Sequence, residues 1–155
     1  MKCIVVDDEP IAHEGLEALI SKIPRLRLEG TFESAISAAA FLKDNTVDLI
    51  FLDIEMPEIN GLEFARTISE KTLVVFTTAY SEYATDSYEV DAIDYLLKPI
   101  EPERFKKAVD KAFSYLSLLK DAEGDDIEPR TDFIFVKSER RFLKLIIMRS
   151  YSSKD

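Results

Sequence analysis

Leu49-Ile50-Phe51-Leu52-Asp53-Ile54-Glu55-Met56-Pro57 is an apolar run that stops on an acid and then breaks into a loop. A short run with no polar residue alternating through it reads as a strand buried on both faces. Pro57, Asn60 and Gly61 mark the loop, and Leu62, Ala65 and Ile68 are the apolar residues of the helix expected after it. The same unit recurs on either side. Upstream, Ile4-Val5-Val6 is a β-branched run that also ends in acids, Asp7-Asp8. Leu16, Leu19, Ile20 and Ile23 then share one helical face, closed by Pro24. Residues 26–32 read as a second strand. Ser34 is placed to cap the next helix, whose apolar residues are Ile36, Ala39, Ala40 and Leu42.

Downstream, Leu73-Val74-Val75-Phe76 followed by Thr77-Thr78 reads as a fourth strand, residues 81–90 as a polar helix and 93–97 as a fifth strand. Pro99 and Pro102 lead into a long helix with Phe105, Val109, Ala112, Phe113 and Leu116 on one stripe. Strand and helix thus alternate five times over residues 1–120. That order predicts a doubly wound α/β fold, a parallel five-stranded sheet with helices on both faces. Such sheets bind ligands beyond the carboxyl ends of their strands, near a topological switch point.

The bulk composition fits one domain with a remainder. The chain has 155 residues, 30 acidic against 20 basic, and a formal charge of -10, which disfavours a direct grip on nucleic acid by the main body. Its apolar stretches fall short of the roughly 20 residues that span a bilayer. Its first residues reach two carboxylates too early for a signal peptide. The single cysteine, Cys3, fits a reducing compartment and reads as a small buried strand residue. A cytoplasmic protein without membrane contact is expected.

The strand ends carry the chemistry. Asp7 and Asp8 follow strand one, Asp53 ends strand three, Thr78 ends strand four and Lys98-Pro99 follows strand five. Singly, these are ordinary turn, strand and surface residues. Together, in a parallel sheet, they converge on one edge. Carboxylates so gathered repel one another and need a counter-charge, which Mg²⁺ supplies through hard oxygen ligands. A carboxylate beside such an ion is a nucleophile toward phosphorus, and a lysine and a hydroxyl neutralise the transferred oxygens.

Val5-Val6-Asp7-Asp8-Glu9-Pro10, Leu52-Asp53-Ile54-Glu55-Met56-Pro57 with Asn60-Gly61-Leu62, Thr77-Thr78-Ala79 and Tyr95-Leu96-Leu97-Lys98-Pro99 resemble the four signature blocks of response-regulator receiver domains. The resemblance covers about residues 1–120 and implies a flavodoxin-like (CheY-like) (βα)₅ fold. It implies a sensor histidine kinase as phosphodonor, and a self-dephosphorylating acceptor rather than a turnover enzyme. By the same resemblance Asp53 is the phosphoacceptor and Asp8 and Asp53 are direct ligands of Mg²⁺ (or Mn²⁺). The backbone carbonyl of Glu55 is a third ligand and Asp7 acts through water. Lys98 and Thr78 contact the phosphoryl group, and Thr78 with Tyr95 forms a switch pair. The switch re-shapes the surface of the fourth helix, fifth strand and fifth helix, which is also the expected homodimer surface. A cis peptide between Lys98 and Pro99 is implied as well.

Phe76-Thr77-Thr78-Ala79-Tyr80 and Val90-Asp91-Ala92-Ile93-Asp94-Tyr95 are similar to receivers of the LytTR (LytR/AlgR-type) class. An acidic linker over 121–130 precedes Asp132-Phe133-Ile134-Phe135-Val136-Lys137, which resembles the first strands of a LytTR DNA-binding domain. Residues 131–155 are about 25 of the roughly 100 that a domain of usual size needs. They read as a partial or divergent start of that domain, a hairpin-like tail. The basic residues Lys137, Arg140, Arg141 and Lys144 read as a solvated turn, so DNA is expected as a partner only if a complete domain follows. His13, the lone histidine, reads as a surface residue. Two other functions stay open from residues alone. A Mg²⁺-dependent phosphohydrolase would use Glu55 as the acid two places after its nucleophile. A phosphorylation-independent adaptor would bind partners through residues 79–113.

Overall fold

A computed structural model describes residues 1–82 and 92–124. The elements are β1 (Lys2–Val6), α1 (Pro10–Ser21), β2 (Arg27–Phe32), α2 (Ala35–Asp44), β3 (Leu49–Asp53), α3 (Gly61–Ala65), β4 (Leu73–Thr78), β5 (Asp94–Leu97) and a C-terminal helix (Pro102–Gly124). Most of the polar helix expected over 81–90 lies outside the described residues, as do the hairpin-like tail and its basic cluster. The C-terminal helix runs to Gly124, into the stretch read as linker.

Among the described residues, five strands pair in parallel, in the order β2-β1-β3-β4-β5. The doubly wound sheet expected from the sequence is therefore present. After β2 the chain crosses to the other side of β1, so the direction of winding reverses between β1 and β3. Asp7, Asp8 and Asp53 stand at the ends of those two strands.

Strand alternation divides the core into two layers. Cys3, Val5, Phe51 and Val75 face α1 and the C-terminal helix, meeting Leu16, Ile20, Phe105 and Val109. Ile4, Val6, Leu52 and Phe76 face α2 and α3, meeting Ala38 and Phe64. Phe51 and Phe105 stack with centroids 5.2 Å apart, and truncating either to alanine is expected to cost about 3 to 5 kcal/mol. Cys3 is fully buried as expected, and burial pushes its thiol up to about 12, so it is unreactive packing.

Helix α2 departs from expectation. Ala35 and Ala38 are its buried residues, whereas Ile36 is 60% exposed and Ala39 and Ala40 face solvent. The run Ala38-Ala39-Ala40 has no size contrast, so it carries no helical phase, and Ile36 alone suggests the wrong face. Ser34 caps the helix as its place in the sequence predicts: its Oγ accepts from Ser37 N at 3.0 Å. No helix among the described residues is long and apolar enough to cross a membrane.

Candidate functional site

Two local devices bring the acids to the sheet edge. At β1 the chain turns directly into α1, which starts on Pro10 with its fixed φ. The backbone N–H of Glu9 donates to Asp7 Oδ1 at 2.9 Å and closes that turn. At β3 the following loop folds back, with Gly61 N donating to Ile54 O at 2.8 Å. A Cβ on Gly61 would collide with the Asp53 carbonyl and the Ile54 backbone, so glycine is required by close approach. Asn60 caps α3 by accepting from Glu63 N at 2.9 Å.

These devices gather Asp7, Asp8 and Asp53, whose carboxylate oxygens lie within 4.8 Å of one another. Asp7 is fully buried and Asp53 is 2% exposed. Lys98 reaches in from the end of β5, past the expected cis Lys98–Pro99 peptide. Its ammonium donates to Asp7 Oδ2 at 2.9 Å and sits 3.6 Å from both Asp53 Oδ1 and Glu9 Oε1. Burial opposes the charge on Lys98, but Asp7, Asp53 and Glu9 outweigh it and raise its affinity for the proton. One lysine does not balance the acids. Burial, together with Asp7, Glu55 and Asp8 and against Lys98, pushes Asp53 up to about 8. Asp53 Oδ1 is buried with no hydrogen-bond partner. Hard oxygen donors, excess negative charge and an unpartnered carboxylate oxygen fit a divalent cation.

Thr78 stands at the end of β4, but its hydroxyl proton is committed elsewhere. Thr78 Oγ1 donates to Glu55 Oε2 at 2.9 Å and accepts from Tyr80 N at 3.0 Å. Tyr95, half-buried on β5, stacks on Phe76 at 5.2 Å between centroids. The sequence assigned no partner to the Glu55 side chain, and nothing in spacing announces its bond to Thr78.

His13 is not the plain surface residue expected. It is half-buried, and its Nε2–H donates to the Asp7 carbonyl at 2.7 Å. Its place in the first turn of α1 was the available signal. Glu9 and Asp94 also went unassigned. Asp94, 8% exposed, accepts two hydrogen bonds from the Arg104 guanidinium at 2.9 and 2.7 Å and has Lys111 Nζ at 3.2 Å.

A family model for the response regulator receiver domain matches residues 3–110. The chain belongs to this family. Among relatives of this receiver domain, the transcriptional regulatory protein YpdB of Escherichia coli K12 is 39% identical over 114 residues, covering 72% of this chain and 47% of YpdB. Protein MrkE of Klebsiella pneumoniae is 38% identical over 114 residues, covering 72% of this chain and 42% of MrkE. The chain thus spans less than half the length of these relatives. The crystal structure of the response regulatory domain of MrkE superposes with a TM-score of 0.69 at 34% identity, covering 76% of this chain and 99% of that one. The receiver domain of AraT from Geobacillus stearothermophilus gives 0.68 at 29% identity, over 77% and 97%.

Proposed function

We propose that this receiver domain accepts a phosphoryl group on Asp53 from the phosphohistidine of a sensor histidine kinase and so switches a response regulator. The observation that carries the reading is Asp53 itself: a buried carboxylate with an unpartnered oxygen, flanked by two further aspartates and 3.6 Å from a lysine ammonium. Mg²⁺ (or Mn²⁺), held by Asp8, Asp53 and the Glu55 carbonyl with Asp7 acting through water, would supply the positive charge that lets these acids and a phosphoryl group coexist.

In the transfer, an Asp53 carboxylate oxygen forms the P–O bond as the P–N bond to the donor imidazole breaks. Lys98 has three donors and uses one on Asp7, so it has capacity for a phosphoryl oxygen. Thr78 gives its proton to a second phosphoryl oxygen by leaving Glu55. Departure of that hydroxyl from its place frees space at the end of β4, and Tyr95 rotates inward from its stack on Phe76. The surface of the fourth helix, fifth strand and fifth helix is re-shaped and is the homodimer surface. In a full-length regulator with a complete LytTR domain after the receiver (1–120) and linker (121–130), the output is DNA binding and transcription control.

Incubation with acetyl phosphate and Mg²⁺ tests the reading. One phosphoryl group per chain, lost in Asp53→Ala, supports it. Multiple turnover of phosphomonoesters points to a phosphohydrolase instead, and absence of uptake to a phosphorylation-independent adaptor.

A further inference from the structure

Among the described residues, two buried side-chain polar atoms have no hydrogen-bond partner, Asp53 Oδ1 and Thr77 Oγ1. They are neighbours. Asp53 and Thr77 are partners in the β3–β4 register, and register partners project from the same face of a sheet. The core agrees: Phe51 and Val75, two residues back on each strand, lie in the same layer. Thr77 is 1% exposed, so solvent does not satisfy its hydroxyl. Leaving a buried hydroxyl unpaired is costly, and native interiors leave few such groups without a reason. The two atoms are chemically complementary, because a carboxylate oxygen accepts and a hydroxyl has one proton to donate. Thr78 cannot take this part. It projects from the opposite face, and its proton goes to Glu55.

We propose that Thr77 is a positioning residue for Asp53: its hydroxyl donates to one buried water that in turn donates to Oδ1, and so fixes the carboxylate plane from the neighbouring strand. Oδ1 keeps its second lone pair for the cation, and the other carboxylate oxygen is left for the phosphoryl group. Lys98, 3.6 Å from Oδ1, holds the same oxygen electrostatically from the rim, so Asp53 is braced between β4 and the end of β5. The positioning role rests on the reading of Asp53 as nucleophile; the pairing of the two side chains does not.

The test uses the full chain. Thr77→Val keeps the shape and removes the hydroxyl, and Thr77→Ser restores it. Uptake from acetyl phosphate with Mg²⁺ is expected to slow on the order of tenfold in Thr77→Val and to recover in Thr77→Ser. A stability cycle in urea, run without phosphodonor, pairs Thr77→Val with Asp53→Ala. The valine is expected to destabilise the Asp53 protein but not the Asp53→Ala protein, a coupling on the order of tenfold in the unfolding constant. An unchanged uptake rate, or equal effects of valine in both backgrounds, overturns the proposal. A wild-type chain that takes up no phosphoryl group overturns the function reading and the positioning role with it. The stability coupling then decides the pairing by itself.

Discussion

Asp53 and Asp94 are both aspartates buried in the same parallel sheet, and their surroundings drive them in opposite directions. Asp94 opens β5 and, although burial pushes it up, the Arg104 fork, the Tyr95 N–H and Lys111 outweigh that and hold it below the usual carboxylate range. It is a satisfied ion pair that ties β5 to the C-terminal helix. Asp53 closes β3 among other acids and is pushed up to about 8. Burial is common to both; what differs is whether the fold supplies enough positive partners. At Asp94 it does, and the result is a clamp. At Asp53 it withholds them, and the result is an acid cluster left short of positive charge, which is what the proposed cation and phosphoryl group would draw on.

Substitution at each aspartate should therefore break the comparison in opposite senses. Asp53→Asn is expected to abolish phosphoryl uptake while stabilising the protein in chelator at pH 8 by roughly 2 to 4 kcal/mol, read from urea unfolding. Lys98→Ala is expected to bind Mg²⁺ at least as tightly, since no ammonium competes for Asp7, but to lose the spectroscopic or dimerisation response to acetyl phosphate. Calorimetry and sizing check the two halves separately. Asp94→Asn is expected to destabilise by about 1 to 3 kcal/mol, below the full cost of a broken buried pair because Arg104 and Lys111 are about half exposed and regain water.

The pH dependence separates the two sites further. Asp53 has a raised folded pKa, so its contribution to stability in chelator is fully present below about pH 4 and is lost as pH rises through about 8. Asp94 has a lowered one, so its contribution is present above about pH 4 and is lost as pH falls through the folded value. Unfolding curves of Asp53→Asn and Asp94→Asn against the parent chain are expected to diverge in those separate windows. The smallest effect belongs to Arg104→Lys, which keeps the charge and loses the fork, costing about 0.5 to 1 kcal/mol.

The contrast also explains what the sequence could disclose. Ile4-Val5-Val6 and Leu49-Ile50-Phe51-Leu52 stop on acids, so the strands, their parallel order and the meeting of Asp7, Asp8 and Asp53 were legible together. The stripe ending in Phe113 and Leu116 fixed the face of the last helix. Asp94 was not legible as a clamp, because Arg104 and Lys111 become its neighbours only when the C-terminal helix docks on β5. Glu55 on Thr78 and His13 on the Asp7 carbonyl are likewise contacts between separate elements. The buried face of α2 was hidden by its alanines. Thr77 lay in plain view beside Thr78, and only strand register puts Thr77 on the sheet face that carries Asp53 and Thr78 on the other.

The most direct test maps the modified residue. After exposure to acetyl phosphate and Mg²⁺, borohydride trapping followed by peptide mass mapping locates the acyl phosphate. One modified peptide, carrying the change at Asp53 and leaving Asp94 untouched, is the predicted result. Modification at Asp7, Asp8, Asp94 or His13 with Asp53 intact would contradict the account.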